Sequence, residues 1–200
     1  MPKQALASIK PTLARGEIFT VPVSPMTIEQ LAAGLIKLGA IAEVDARINS
    51  KSFPRSPLRA GQISIQVVSF SWNSINEKGF TASTPMAPSA RTLLLSAGET
   101  VKRLTAEMPG ARAIRLLEFL QAMLAQPEAL NAKRSFAVLG DEWIGECQLV
   151  DEQQRLIKKR MPHVVGTFNG NLAPMPLGEH YEIKFGLGWN FPVILPNPAK

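Results

Sequence analysis

The groups able to carry chemistry in this chain are few. They are two histidines, His163 and His180, one thiol, Cys147, and the neighbouring carboxylates Asp141, Glu142 and Glu146. A general base, a nucleophile or an acid–base pair would have to be drawn from these. A zinc site would need both histidines to converge on the carboxylates, and no H-x-x-x-H or C-x-x-C spacing supports that. The lone cysteine rules out an intrachain disulfide, and its neighbours Ile144, Leu149 and Val150 mark it as a small buried hydrophobe. His163 follows Pro162 at an expected turn and His180 precedes Tyr181 at an expected strand start, so both read as structural or solvated. On a strand, Glu142 and Glu146 share a face with Ile144 between them, which describes a wet edge better than an acid pair. Gly186-Leu187-Gly188 lacks the third glycine, the Lys-Ser/Thr ending and the following helix of a phosphate loop. No G-x-S-x-G element occurs. The expectation is therefore no catalytic set, no metal and no cofactor.

Charge is the next source of chemistry. The chain carries a net +6, and its sharpest feature is the switch from Asp141, Glu142, Glu146, Asp151 and Glu152 to Arg155, Lys158, Lys159 and Arg160. The stretch L-V-D-E-Q-Q-R-L-I reads as a hairpin turn between aliphatic strands. Setting Val150 opposite Arg155 puts Leu149 against Leu156 and Glu146 against Lys159, so the run neutralises itself. The uncompensated cations lie elsewhere. No acid occurs between Asp45 and Glu77, whereas Arg47, Lys51, Arg55 and Arg59 do, around Phe53. Spaced cations of this kind can follow a phosphate backbone. These five residues are the expected nucleic-acid contact, for RNA ahead of DNA, with Arg112 and Arg115 as helical cations in second place.

These residues need elements to position them. Residues 1–16 read as an arm, and Glu17–Val23 alternates as a strand with Phe19, Val21 and Val23 on one face. Pro22 confines that strand to an edge or makes it its end. Thr27 and Gln30 have capping-box spacing, followed by a helical stripe of Ile28, Leu31, Ala32, Leu35, Ile36 and Leu38 and a stop at Gly39. Ala42–Ile48 alternates most cleanly and predicts a strand. Gln62–Trp72 changes phase midway, which predicts a bulge or burial on both faces. Two helices should follow, one from Ser89 to Pro109 and one over Ala111–Ala125, as antiparallel neighbours across a short connector. The last third reads as strands over Ser135–Leu139, Trp143–Val150, Arg155–Met161, Val164–Phe168 and Tyr181–Leu187.

The fold class expected from this order is α+β: a mostly antiparallel sheet, about three helices with a pair in the middle, and a β-rich C-terminal third. One domain should span 17–188, with an extended Pro-rich tail over 189–200. The tail's Trp189, Phe191, Val193, Ile194 and Leu195 need a surface to lie on, and self-association is the expected one. A hydrophobic share of 46% with 19% charged residues suits an ordinary packed core. No apolar run is long enough to span a bilayer, and the N-terminal stretch lacks a secretory apolar core. A cytoplasmic, intracellular protein follows as the expectation. The profile points to a non-enzymatic structural or assembly protein that self-associates, virion-associated or part of a mobile element. Two rivals are a small RNA-processing enzyme with a histidine base and a protein-binding module that uses the tail.

Overall fold

The computed structural model describes residues 10–54, 57–75, 81–82, 96–150, 153–177 and 189–196. The expected helix cap at Ser89, the strand over Tyr181–Leu187, His180, Arg55 and the glycines at 186 and 188 lie outside them.

The fold is α+β. A mixed, mainly antiparallel sheet is built from β1 (Lys10–Val23), β2 (Glu43–Val44), β3 (Gly61–Ile75), β6 (Ser135–Val150), β7 (Leu156–Phe168), β8 (Asn171–Pro176) and β9 (Trp189–Ile194). Two-residue strands β4 (Thr81–Ala82) and β5 (Arg112–Ala113) add to β3 and β9. Across the sheet the order is β1-β3-β9-β6-β7-β8-β2. Among the described residues there are three helices, α1 (Ile28–Lys37), α2 (Ala97–Glu107) and α3 (Leu116–Ala125).

Two apolar clusters lie on opposite faces of the sheet. One joins Ile65, Val67, Phe136, Val138, Val165 and Ile194 to α1 and α3. The other joins Val68, Phe70, Ala137, Val164, Phe191 and Val193 to α2. Successive strand residues point to opposite faces, so Ile65 through Val68 are all buried because both faces are covered. That accounts for the phase change expected in this strand. The bulge sits in β1, between Arg15 and Ile18. A Cβ at Gly16 would come within 2.8 Å of the Val67 carbonyl oxygen, so this close approach needs glycine.

The two central helices are not neighbours. The chain crosses from one face to the other between Ala111 and Ile114, where β5 pairs with β9. Helix α2 therefore seats on one cluster, and α3 packs on the other beside α1, with Gly34 set against Leu124. In α1 the capping box forms as expected, Thr27 Oγ1 accepting from Gln30 N at 3.2 Å and Gln30 Oε1 from Thr27 N at 2.9 Å. Ile28, Leu31 and Leu35 are buried, while Ile36 and Leu38, expected in the stripe, are exposed.

Three segments differ from expectation. The alternation of Ala42–Ile48 gives only β2, because Asp45 turns the chain: its carboxylate accepts from Arg47 N and its carbonyl from Ile48 N. The N-terminal arm is already strand from Lys10 onward. The extended tail is β9, the strand that joins β3 to β6 within the same chain, so Phe191, Val193 and Ile194 are buried on their own sheet. Pro192 is tolerated there because its carbonyl accepts from Ile114 N. Its nitrogen points the same way, away from β3, so no rung of the β3–β9 ladder is lost.

Candidate functional site

The basic loop is ordered by its own side chains. Asp45 and Arg47 form a two-point ion pair, with Nε at 2.9 Å from Oδ1 and Nη2 at 2.7 Å from Oδ2. This contact pulls the Asp45 carboxyl below its ordinary value and raises the Arg47 guanidinium. Asn49 Oδ1 accepts from Lys51 N and Ser52 N, both at 3.0 Å. Glu29 accepts from the Ser50 amide and hydroxyl, which hold its carboxyl down at about 2. The loop is anchored by Phe53, 3% exposed, whose ring centroid lies 6.1 Å from that of Trp143. Phe53, expected among the nucleic-acid contacts, is a core residue instead, since apolar burial claims the ring first. Of the expected contacts, Lys51 and Arg59 are exposed and Arg47 is committed to Asp45.

Arg112 and Arg115 are not helical cations. Arg112 lies on β5 and makes two bonds to the buried Glu118, Nη1 to Oε2 at 2.8 Å and Nη2 to Oε1 at 2.5 Å. Arg115 is the N-cap of α3, its amide donating to Glu118 Oε2 at 3.0 Å. Asp141, buried on β6, accepts from Leu116 N at 2.9 Å. Both carboxylates thus serve the unpaired amides and positive end of α3. The acidic cluster once weighed as an acid–base pair is split between this cap and a surface ion pair.

That ion pair lies on an exposed ribbon formed by β6 and β7. Strands β6 and β7 have 16 and 13 residues, whereas their flanking strands β8 and β9 have 6 each. β9 meets β6 only at Ser135 and Phe136, and β8 meets β7 from His163 onward. Among the described residues, from Ile144–Pro162 to Val150–Leu156 the two strands pair only with each other. This ribbon extends about 20 Å, at roughly 3.4 Å per residue. Every residue from Gln153 to Arg160 is exposed. Leu156 is 75% exposed and Ile144 60%, with Ile157 partly so.

The register is one residue off the expected one. Gln154 takes a positive φ of 60°, which lengthens the turn. Val150 therefore pairs with Leu156, Cys147 with Lys159 and Glu146 with Arg160. Glu146 makes its ion pair diagonally, with Lys158 at 2.9 Å rather than with Lys159. Pro162 fits because its carbonyl faces β8, accepting from Leu177 N at 2.7 Å, and its nitrogen faces that side too.

Where the ribbon meets the sheet sits His163, 1% exposed and beside the Trp143 ring, with centroids 5.1 Å apart. Nδ1 lies 2.9 Å from the Met161 carbonyl, and Nε2 has no hydrogen-bond partner. Burial is the main cause lowering its pKa, with Arg47 adding to it. The imidazole is thus enclosed in the core behind the Trp143 ring. Cys147, on the ribbon face that carries Trp143 and His163, is half-buried. Among the described residues no group of three metal-ligating side chains occurs, and no helix is long and apolar enough to cross a membrane. The crevice between α2 and β5 holds about 10 Å³, room for one water.

The exposed aliphatics of the ribbon were missed in the sequence, although the signal was there: a hairpin too long for its neighbours to cover. The chain matches no protein-family model, no curated protein and no solved structure.

Proposed function

We propose that this chain is a non-enzymatic structural protein that self-associates and carries an anionic polymer, RNA ahead of DNA, on its basic loop. The observation that carries the reading is the ribbon, with Ile144 and Leu156 held in solvent beyond the reach of β8 and β9. A two-stranded ribbon with solvent on both sides is marginal by itself and gains from being covered. Burying such a side chain is worth roughly 1–2 kcal/mol, given that a full Leu or Ile yields about 1.5–3. Two from each of two copies give about 4–8 kcal/mol, against an association cost of at least about 4. The surplus of at most about 4 kcal/mol from these side chains corresponds to a millimolar contact or weaker. A polymer bound at Lys51 and Arg59 would then strengthen assembly by raising local concentration.

Sedimentation equilibrium and light scattering on nuclease-treated protein, from about 10 µM to about 1 mM, test this. The mass should rise from 21.8 kDa toward twice that or more. RNA should bind with an affinity that falls steeply with salt, and Lys51→Ala with Arg59→Ala should flatten that dependence. A monomer throughout, with no salt-dependent RNA binding, overturns the reading.

A further inference from the structure

Resting on that reading, we infer that the outer face of the β6–β7 ribbon is a two-fold surface for a second copy of this chain, with Glu146 of each copy set against Arg160 of the other. Directly paired residues share a face, so Ile144, Glu146 and Gln148 on β6 lie beside Leu156, Lys158 and Arg160 on β7. The acid of this face is on one strand and its cations are on the other. Ile144 lies at the root and Leu156 near the tip, so the charges sit between two aliphatic ends.

That arrangement is self-complementary. A two-fold axis running along the ribbon, between two copies packed face to face, lays β6 of one over β7 of the other. Rungs then meet like rungs. Because Glu146 and Arg160 share a rung, each meets its opposite on the second copy. Sheets pack about 10 Å apart in such contacts, a gap that Leu156 and Ile144 side chains fill.

The charge balance selects the occupant. A phosphate backbone on this face would meet Glu146, with exposed Glu142 two residues before Ile144, and Lys158 is already paired. A second copy supplies an acid for Arg160 and a further cation for Glu146 beside Lys158, and it covers the aliphatics. The inner face differs, since Trp143 there covers Gly145 and packs on the core.

Charge reversal in two separate chains tests this. Glu146→Arg should face Arg160 of its own kind, and Arg160→Glu should face Glu146; each alone should weaken association about tenfold or more. Mixed one to one, the two variants should associate within about threefold of the native chain, because both crossing contacts become Arg against Glu. The Glu146–Lys158 pair within the ribbon is broken in Glu146→Arg and kept in Arg160→Glu, and mixing changes neither, so this rescue reports contacts between chains. Leu156→Ser should weaken association of the native chain as well. Circular dichroism confirms that each variant is folded; a variant that is not is replaced by Glu146→Lys or Arg160→Asp. Native assembly that none of these changes affects, or a mixture that stays monomeric, overturns the interface while leaving self-association standing. A native chain that never associates overturns both. Loss of RNA binding by Arg160→Glu, or a gain by Glu146→Arg, without change in association would assign the face to nucleic acid and also overturn the inference.

Discussion

Replacing Asp141 by alanine asks whether the acidic run at the start of the ribbon is structural. The carboxylate is buried and accepts from the amide of Leu116, itself 1% exposed. Alanine leaves that donor buried without its acceptor, at a cost of about 1–3 kcal/mol. Losing a negative charge at the start of α3 adds about 0.3–1 kcal/mol. The expected loss is therefore about 1.3–4 kcal/mol, which for a domain of this size lowers Tm by about 3–16 °C. Asp141→Asn keeps an oxygen acceptor and gives up only the charge, so it should cost about 1 kcal/mol or less. Urea titration followed by tryptophan fluorescence measures both, since Trp143 is two residues away. Asparagine costing as much as alanine, or alanine costing under about 0.5 kcal/mol, refutes the capping argument.

His163 should give the fold a pH dependence. Its ordinary value is 6.5 and burial lowers it in the folded chain, so the neutral form is favoured there. The stability it supplies is complete above 6.5 and is lost as pH falls below that, toward the lower folded value. His163→Phe should flatten the change in unfolding midpoint between pH 7.5 and 5.5; an unchanged slope places its origin elsewhere. Gly16→Ala should cost about 1–3 kcal/mol by forcing the β1 bulge off Val67. A midpoint in urea equal to that of the native chain would show that the bulge relaxes freely.

Much of the scaffold is legible where one local signal acts alone. The capping box of Thr27 and Gln30 and the edge placement implied by Pro22 both come from short-range chemistry. Other segments were decided by neighbours the sequence does not announce. Ala42–Ile48 has the best alternation in the chain, yet the Asp45 carboxylate captures the backbone and ends the strand after two residues. Asn169-Gly170, with φ of 50° and 87°, makes the tight turn between β7 and β8; that dipeptide is the strongest hairpin signal in the chain and went unread. The site was less legible than the fold. The cations look alike in sequence, but Arg47 is paired with Asp45 and Arg112 with Glu118 six residues on, and Phe53 is taken by the core. The hairpin was foreseen and its register missed by one, because nothing local says that Gln154 adopts a left-handed conformation.

The position of β9 has a consequence for how the chain reaches this fold. β6, β7 and β8 follow one another and pair through short turns, and β1 and β3 pair across the α1 segment. They make two half-sheets, one of β1 and β3 and one of β6, β7 and β8. They are joined by β9, whose rungs to β3 link residues about 120 positions apart. Closing so long a loop comes late and is slow, because its entropy is paid before the contacts reward it. Until β9 arrives, β3 and β6 present bare edges and the apolar faces of both clusters stand open. Each half-sheet is then a template for the β9 of another molecule, so strand exchange through β9 is the misfolding route this topology invites.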